Sequence, residues 1–193
     1  MLLWLDLETT GLDPQLDSIL EVACIITHEN LKALYTFTRE DVEHTADIID
    51  SAVITPTVDA FCRLRENGYV LAMHEKSGLA ADLMNPNTPE LHDVEDLILY
   101  TIETGMPDSE PLYLAGASVH FDLAFIRVWM PRLAMRLSHR VYDTSTLKAF
   151  FGEFVEHNIV NAGKHRAKND VEECLAIARF YHDEVVSAVR RDI

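Results

Sequence analysis

The amino-acid sequence predicts an α/β layered fold around a mixed sheet, and three observations carry that expectation. Apolar runs bounded by turn residues come first, strand–helix units alternate afterwards, and the last long segment keeps one apolar stripe at helical spacing. Strands followed by alternating units of this kind pack as a sheet with helices layered on it.

Residues 2–8, Leu-Leu-Trp-Leu-Asp-Leu-Glu, form an apolar run ended by Thr-Thr-Gly-Leu-Asp-Pro, so a buried strand is expected there. Runs at 19–27 and 31–37 are separated by His-Glu-Asn, a short hairpin-like connection, which makes three adjacent strands. Residues 38–68 carry weak patterning, with helical spacing only over 58–66. Residues 90–104 place Leu91, Val94, Leu97, Ile98 and Ile102 at helical spacing after a proline and before Gly105. Short strands are expected at 112–115 and 140–142, and helices at 121–133 and 144–155. The final helix is expected over 166–189, striped by Val171, Cys174, Leu175, Ala178, Tyr181, Val185 and Val189.

At 193 residues with 48% apolar content, the chain suits one compact domain spanning 1–193. No stretch reaches the roughly 18 apolar residues that a membrane helix needs, and the start lacks a secretory pattern. Three scattered cysteines, Cys24, Cys62 and Cys174, suit packing in a reducing compartment better than a disulfide framework. The expectation is a cytoplasmic protein with no membrane partner.

The net charge of −16 argues against a protein that holds long nucleic acid by neutralising many phosphates. Its distribution is uneven. Residues 127–168 carry eight Lys and Arg against three acids, a local balance of +5. An acidic body with one basic stretch fits a small anionic ligand, although such a run is as often a solvated helix surface.

Three elements could carry chemistry. Asp6 and Glu8 are two apart in a strand, so both carboxylates point to one face. Burying two such charges is costly unless a cation compensates. Asp122 follows the break at Gly116 and falls in the first turn of a helix, where helix capping alone would explain an acid. His165 precedes the last helix and Asp170 lies five residues on, so a helix can plant the acid while the histidine reaches a water. Each element taken singly has an ordinary explanation.

Together they spell Asp-x-Glu, then Asp, then His-x4-Asp, each at the edge of an expected strand or helix. In this the sequence resembles the histidine-containing branch of the four-carboxylate exonuclease superfamily, with Asp6, Glu8, Asp122, His165 and Asp170 on its five catalytic positions. Further segments resemble the oligoribonucleases within it: 5–13, 76–79, 116–122, 130–131, 139–148 and the last helix. The resemblance implies an RNase H-like, exonuclease-type mixed sheet flanked by helices. It also implies 3′→5′ degradation of short RNA oligonucleotides, dinucleotides especially, by a homodimer.

The same resemblance implies two Mg²⁺ or Mn²⁺ ions about 4 Å apart, a two-metal arrangement that hard oxygen ligands suit. Asp6 would bridge them, Glu8 and Asp170 would complete the first, and Asp122 would hold the second. His165 would take the proton from the attacking water. Leu12 and Tyr69 would sandwich a base with His74 lining the same pocket. Arg140, Ser145 and Lys148 would cap a 5′ phosphate, with Ser118 nearby. The chain departs from the oligoribonuclease pattern at Thr9 (usually Met), Tyr69 (Trp), Ala117 (Asn) and His139 (a Tyr that reaches across a dimer interface). The rival readings are a proofreading-type DNA exonuclease, which residues 139–148 disfavour, and a relative that binds nucleic acid without cleaving it.

Overall fold

The computed structural model describes residues 1–29, 31, 51–105, 110–151 and 165–191. Its strands are β1 (Leu2–Thr9), β2 (Ile19–Thr27), β3 (Ala52–Val53), β4 (Leu112–Gly116) and β5 (Leu137–Asp143). They form one mixed sheet in the order β3-β2-β1-β4-β5. β1 runs antiparallel to β2 and parallel to β4, and β5 continues the parallel part. The expected strand at 31–37 lies outside the described residues except for Leu31, which sits in a turn with φ 62°. β3, two residues in the weakly patterned stretch, pairs with the outer side of β2.

Helices α1 (Val58–Glu66), α2 (Gly68–Ser77) and α3 (Leu79–Asp82) follow β3, and α4 (Leu91–Gly105) precedes β4. Between β4 and β5 lie α5 (His120–Trp129) and α6 (Pro131–Arg136), and after β5 come α7 (Thr144–Phe151) and α8 (Ala167–Arg191). The single helix expected at 121–133 is two helices. Met130 leaves helical geometry (φ −130°, ψ 63°) because Pro131 follows it, and a residue before proline is pushed out of the α region. α2 gives no helical signal because its apolar residues run consecutively from 69 to 73 rather than at helical spacing, and α3 is only four residues long. The left-handed Gly78 (φ 87°) turns the chain between them, a conformation in which a side chain would be strained.

Period-two alternation along β1 sorts the core. Leu3, Leu5 and Leu7 pack with Val94, Ile98 and Ile102 of α4 and with Phe125, Ile126 and Leu133 of α5 and α6. Leu2 and Trp4 point the other way, onto Ala167, Val171, Cys174, Leu175 and Ala178 of α8. The stripe expected on the last helix is therefore its sheet-facing side. A register irregularity between Glu8 and Thr9 lets Leu20 leave this pattern and join Leu64, Leu79 and Leu83 in a smaller cluster.

Candidate active site

The face of β1 that carries Leu2 and Trp4 continues with Asp6 and Glu8. α8 covers the two apolar residues, and its first turn then delivers Asp170 where the apolar cover ends. One carboxylate oxygen from each of Asp6, Glu8 and Asp170 lies within 4.8 Å of the others. The strand and the helix start, 160 residues apart in sequence, thus meet at one acidic point.

Asp122 arrives from the opposite layer. β4 pairs with β1 only as far as Trp4↔Ala115, after which the chain breaks at Gly116. A Cβ on that glycine would stand 2.9 Å from the Leu5 carbonyl oxygen, so only glycine allows the approach. Beyond it, the Leu7 N–H donates to Oδ1 of Asp122 at 3.2 Å. Asp122 sits in the first turn of α5, yet its carboxylate reaches across to β1. The carboxylate also accepts from its own backbone N–H, so capping accounts for part of its bonding and the reach to β1 for the rest.

The electrostatics follow from that crowding. Burial, followed by Asp122, Asp170, Glu8 and Glu21, pushes the Asp6 carboxyl well above the usual carboxylate range. Burial and then Asp170 and Glu21 push Glu8 up to about 8, with Arg166 opposing them. Burial raises Asp122 to about 7 against the amide hydrogen bonds it accepts. Asp170 is raised by burial, while His165 holds it down. Four carboxyls that burial holds above their ordinary range, with Asp6 and Glu8 raised further by acidic neighbours, are what a buried oxygen-donor set looks like before a cation neutralises it. Hard divalent ions fit the donor chemistry.

His165 is exposed, with a left-handed φ of 44°, immediately before Arg166 and α8. Asp170 lies in the first turn of that helix, which begins one residue later than the sequence suggests. His74, expected to line a base pocket, has no exposed surface. Its Nε2 is 2.9 Å from the Thr9 carbonyl oxygen and burial lowers its pKa, so the ring is neutral and donates there. Nδ1 then holds only a lone pair, without a hydrogen-bond partner and 3.8 Å from Oε2 of Glu8. His74 stands behind the acidic cluster.

Leu12 and Tyr69 are 81% and 83% exposed, which removes core packing as an account of Tyr69. Their supports are joined. Asn67 donates from Nδ2 to the Thr10 carbonyl at 3.3 Å, and its Oδ1 accepts from the Val70 N–H at the start of α2. The loop bearing Leu12 is further tied by Trp129 Nε1 donating to the Pro14 carbonyl at 3.0 Å. Ser118 and Ser145 are gathered by Asp143, whose Oδ1 accepts from both backbone N–H groups at 2.9 Å and from the Ser145 hydroxyl at 2.5 Å. Burial acts to raise the Asp143 carboxyl, but these bonds win and hold it below its ordinary range. Lys148 Nζ donates to Glu173 at 3.0 Å, and Arg140 is exposed on β5. Asn67 and Asp143 were missed by sequence reasoning, as turn-type residues with no periodic signal.

A mixed sheet with carboxylates collected at the end of β1 and the start of two helices defines a class, and a family model described as Exonuclease matches residues 3–178. The class is a phosphodiester-cleaving hydrolase that depends on divalent metal. Among known proteins, the chain is 35% identical over 184 residues to an oligoribonuclease of Corynebacterium efficiens, covering 93% of this chain and 76% of that one. It is 31% identical over 193 residues to an oligoribonuclease of Arabidopsis thaliana (98% and 80% covered). It is 30% identical over 189 residues to a mitochondrial oligoribonuclease of Homo sapiens (95% and 73%). The chain belongs to the oligoribonuclease family of exonucleases.

Solved structures agree on the fold. An exonuclease I from Methylocaldum szegediense superposes with a TM-score of 0.61 at 18% identity, and a zinc-bound complex of the E. coli enzyme with single-stranded DNA with 0.59 at 16%. They cover 94% and 92% of this chain, which spans about 40% of their length. The architecture is the RNase H-like exonuclease fold.

Proposed function

We propose that the chain removes nucleoside 5′-monophosphates one at a time from the 3′ end of short oligoribonucleotides, dinucleotides above all. The observation that carries this reading is the meeting of Asp6, Glu8 and Asp170 oxygens within 4.8 Å, with Asp122 charge-coupled to Asp6 from the other layer. Those acids, with His165, occupy the five positions of the Asp-x-Glu, Asp, His-x4-Asp pattern. Asp6, Glu8, Asp122 and Asp170 are the metal ligands, and Mg²⁺ or Mn²⁺ suits their oxygens. Bound there, two such ions would lower the pKa of a water and offset charge on the phosphate.

His165, exposed at the mouth of the cluster, accepts the proton of the attacking water. The water oxygen bonds to phosphorus, the bond to the 3′ oxygen breaks, and that oxygen takes a proton from solvent and leaves as a hydroxyl on the shortened chain. Leu12 and Tyr69 hold a base by stacking, which demands no sequence. Arg140 on β5, Ser145 and Lys148 on α7, and Ser118 before α5 receive the 5′ phosphate. His74 is a support of Thr9, whose carbonyl oxygen accepts from its Nε2. The enzyme works as a cytoplasmic homodimer of single exonuclease domains spanning 1–193, a reading supported by the exposed edge residues His139, Arg140 and Val141. Among the described residues no helix is long and apolar enough to cross a membrane.

Digestion of 5′-labelled RNAs of about 2–20 nucleotides, with Mg²⁺ and with chelator, tests this reading, because a terminal-phosphate grip concentrates affinity on the shortest chains. Dinucleotides should disappear fastest, only with metal, and not at all with Asp6→Asn. Equal rates on long RNA, or preference for DNA, would sink it.

A further inference from the structure

Glu21 is the most buried charged residue beside the site, 1% exposed. It pairs directly with Glu8 across β1 and β2, so it stands on the same acidic face. Unlike its neighbours it is fully engaged. Nε of Arg166 donates to both its oxygens at 3.1 Å and Nη2 to Oε1 at 2.8 Å. The Ala167 N–H donates to Oε2 at 3.1 Å and the Ser51 hydroxyl to Oε1 at 2.7 Å. Nη1 of Arg166 turns outward to Asp82 at 2.7 Å. One guanidinium thereby joins β2, α3 and the first residues of α8.

We propose that Arg166 is a positioning residue for the reaction: by closing on Glu21 and Asp82 it fixes the start of α8 and so sets where His165 and Asp170 stand against β1. This rests on the reading of Asp170 as a metal ligand and His165 as the base. The chain of contacts is short. His165 precedes Arg166 directly and holds a left-handed φ, a conformation uncommon for a residue with a side chain. Asp170 is tied from the other side, its N–H donating to the Arg166 carbonyl at 3.2 Å. Glu21 accepts from the first N–H of α8, one of the donors a helix start leaves without a partner. An arginine fork supplies direction as well as charge, which a lysine ammonium does not.

Calorimetric titration of Mn²⁺ alone into metal-free wild type, Arg166→Met, Arg166→Lys and Asp170→Asn tests this, together with Tm and with kcat and KM on a dinucleotide. Loss of an outer support of a metal ligand weakens metal affinity or activity by about 10- to 100-fold. Arg166→Met should lose Mn²⁺ affinity on that scale and kcat with it, while KM stays within about twofold. Arg166→Lys, which keeps the charge but not the fork, should recover little. A lowered Tm with wild-type Mn²⁺ affinity and kcat in Arg166→Met would make the clamp structural only and overturn the proposal. Full recovery in Arg166→Lys would also overturn it, by reducing the effect to charge. If Arg166→Met does not fold, wild-type Mn²⁺ affinity and kcat in Arg166→Lys overturn it equally. Asp170→Asn binding Mn²⁺ like wild type would strike the ligand assignment itself, which distinguishes that failure from this one.

Discussion

Glu8→Gln should make the metal-free protein more stable, although it deletes a group of the active site. Burial and its acidic neighbours raise Glu8 from 4.5 to about 8. A carboxyl raised on folding contributes stability that is intact below its unfolded pKa and lost as pH climbs through the folded one. For Glu8 that window runs from about 4.5 to about 8. At about 1.4 kcal/mol for each pH unit, the loss at pH 8 has a ceiling of about 4 kcal/mol. The amide keeps the shape, carries no charge, and can donate to the unpartnered Nδ1 of His74, 3.8 Å from Oε2. At about 2–4 °C per kcal/mol for a chain of this size, a quarter of the ceiling already raises Tm by about 2–4 °C. Melting by circular dichroism in chelator should show that gain at pH 8 and almost none at pH 5. Mg²⁺ should raise the wild-type Tm at pH 8 and the variant's far less. A variant that melts at or below wild type at pH 8 would refute the charge-crowding account. A gain of the same size at both pH values would trace it to packing.

Three further outcomes are expected. His165→Asn should lower kcat by about 10²–10⁴ and leave Mn²⁺ affinity unchanged in calorimetry, because it removes a base; lost metal binding would make His165 a ligand. Arg140→Ala, measured in Asp6→Asn protein at fixed salt, should weaken a 5′-phosphorylated dinucleotide by about 10- to 150-fold. A 5′-hydroxyl dinucleotide should lose much less, and equal losses would place Arg140 away from the terminal phosphate. Tyr69→Ala should weaken dinucleotide binding by about 5- to 150-fold, the worth of one stacked base, and Tyr69→Phe should not. Because Tyr69 is exposed, Tm should stay constant, and a fall in Tm with binding intact would assign the ring to packing.

What the sequence by itself determined is whatever local periodicity and turn chemistry encode. Alternation over residues 2–8 put Asp6 and Glu8 on one face, the break at Gly116 ended β4, and one stripe gave α8 within two residues at each end. Local signals placed the five residues proposed for the chemistry on a strand or near a helix start, but it was the resemblance of their combined pattern that picked them out. The tertiary structure alone decided which distant groups meet. Asp122 reads as a cap and nothing more until the Leu7 N–H, 115 residues away, is seen to donate to it. His74 reads as a pocket residue until its burial behind Glu8 is known, and Glu21 reads as one acid in an apolar strand until Arg166 closes on it. The split at Met130 was written in Pro131, but the helical spacing on either side concealed it. The physical reason is common to these cases. Backbone geometry depends on near neighbours, whereas the desolvation of a carboxylate and the identity of its partner depend on which elements pack together, and hydrogen bonds spanning 115 to 146 residues leave no periodic trace in the chain.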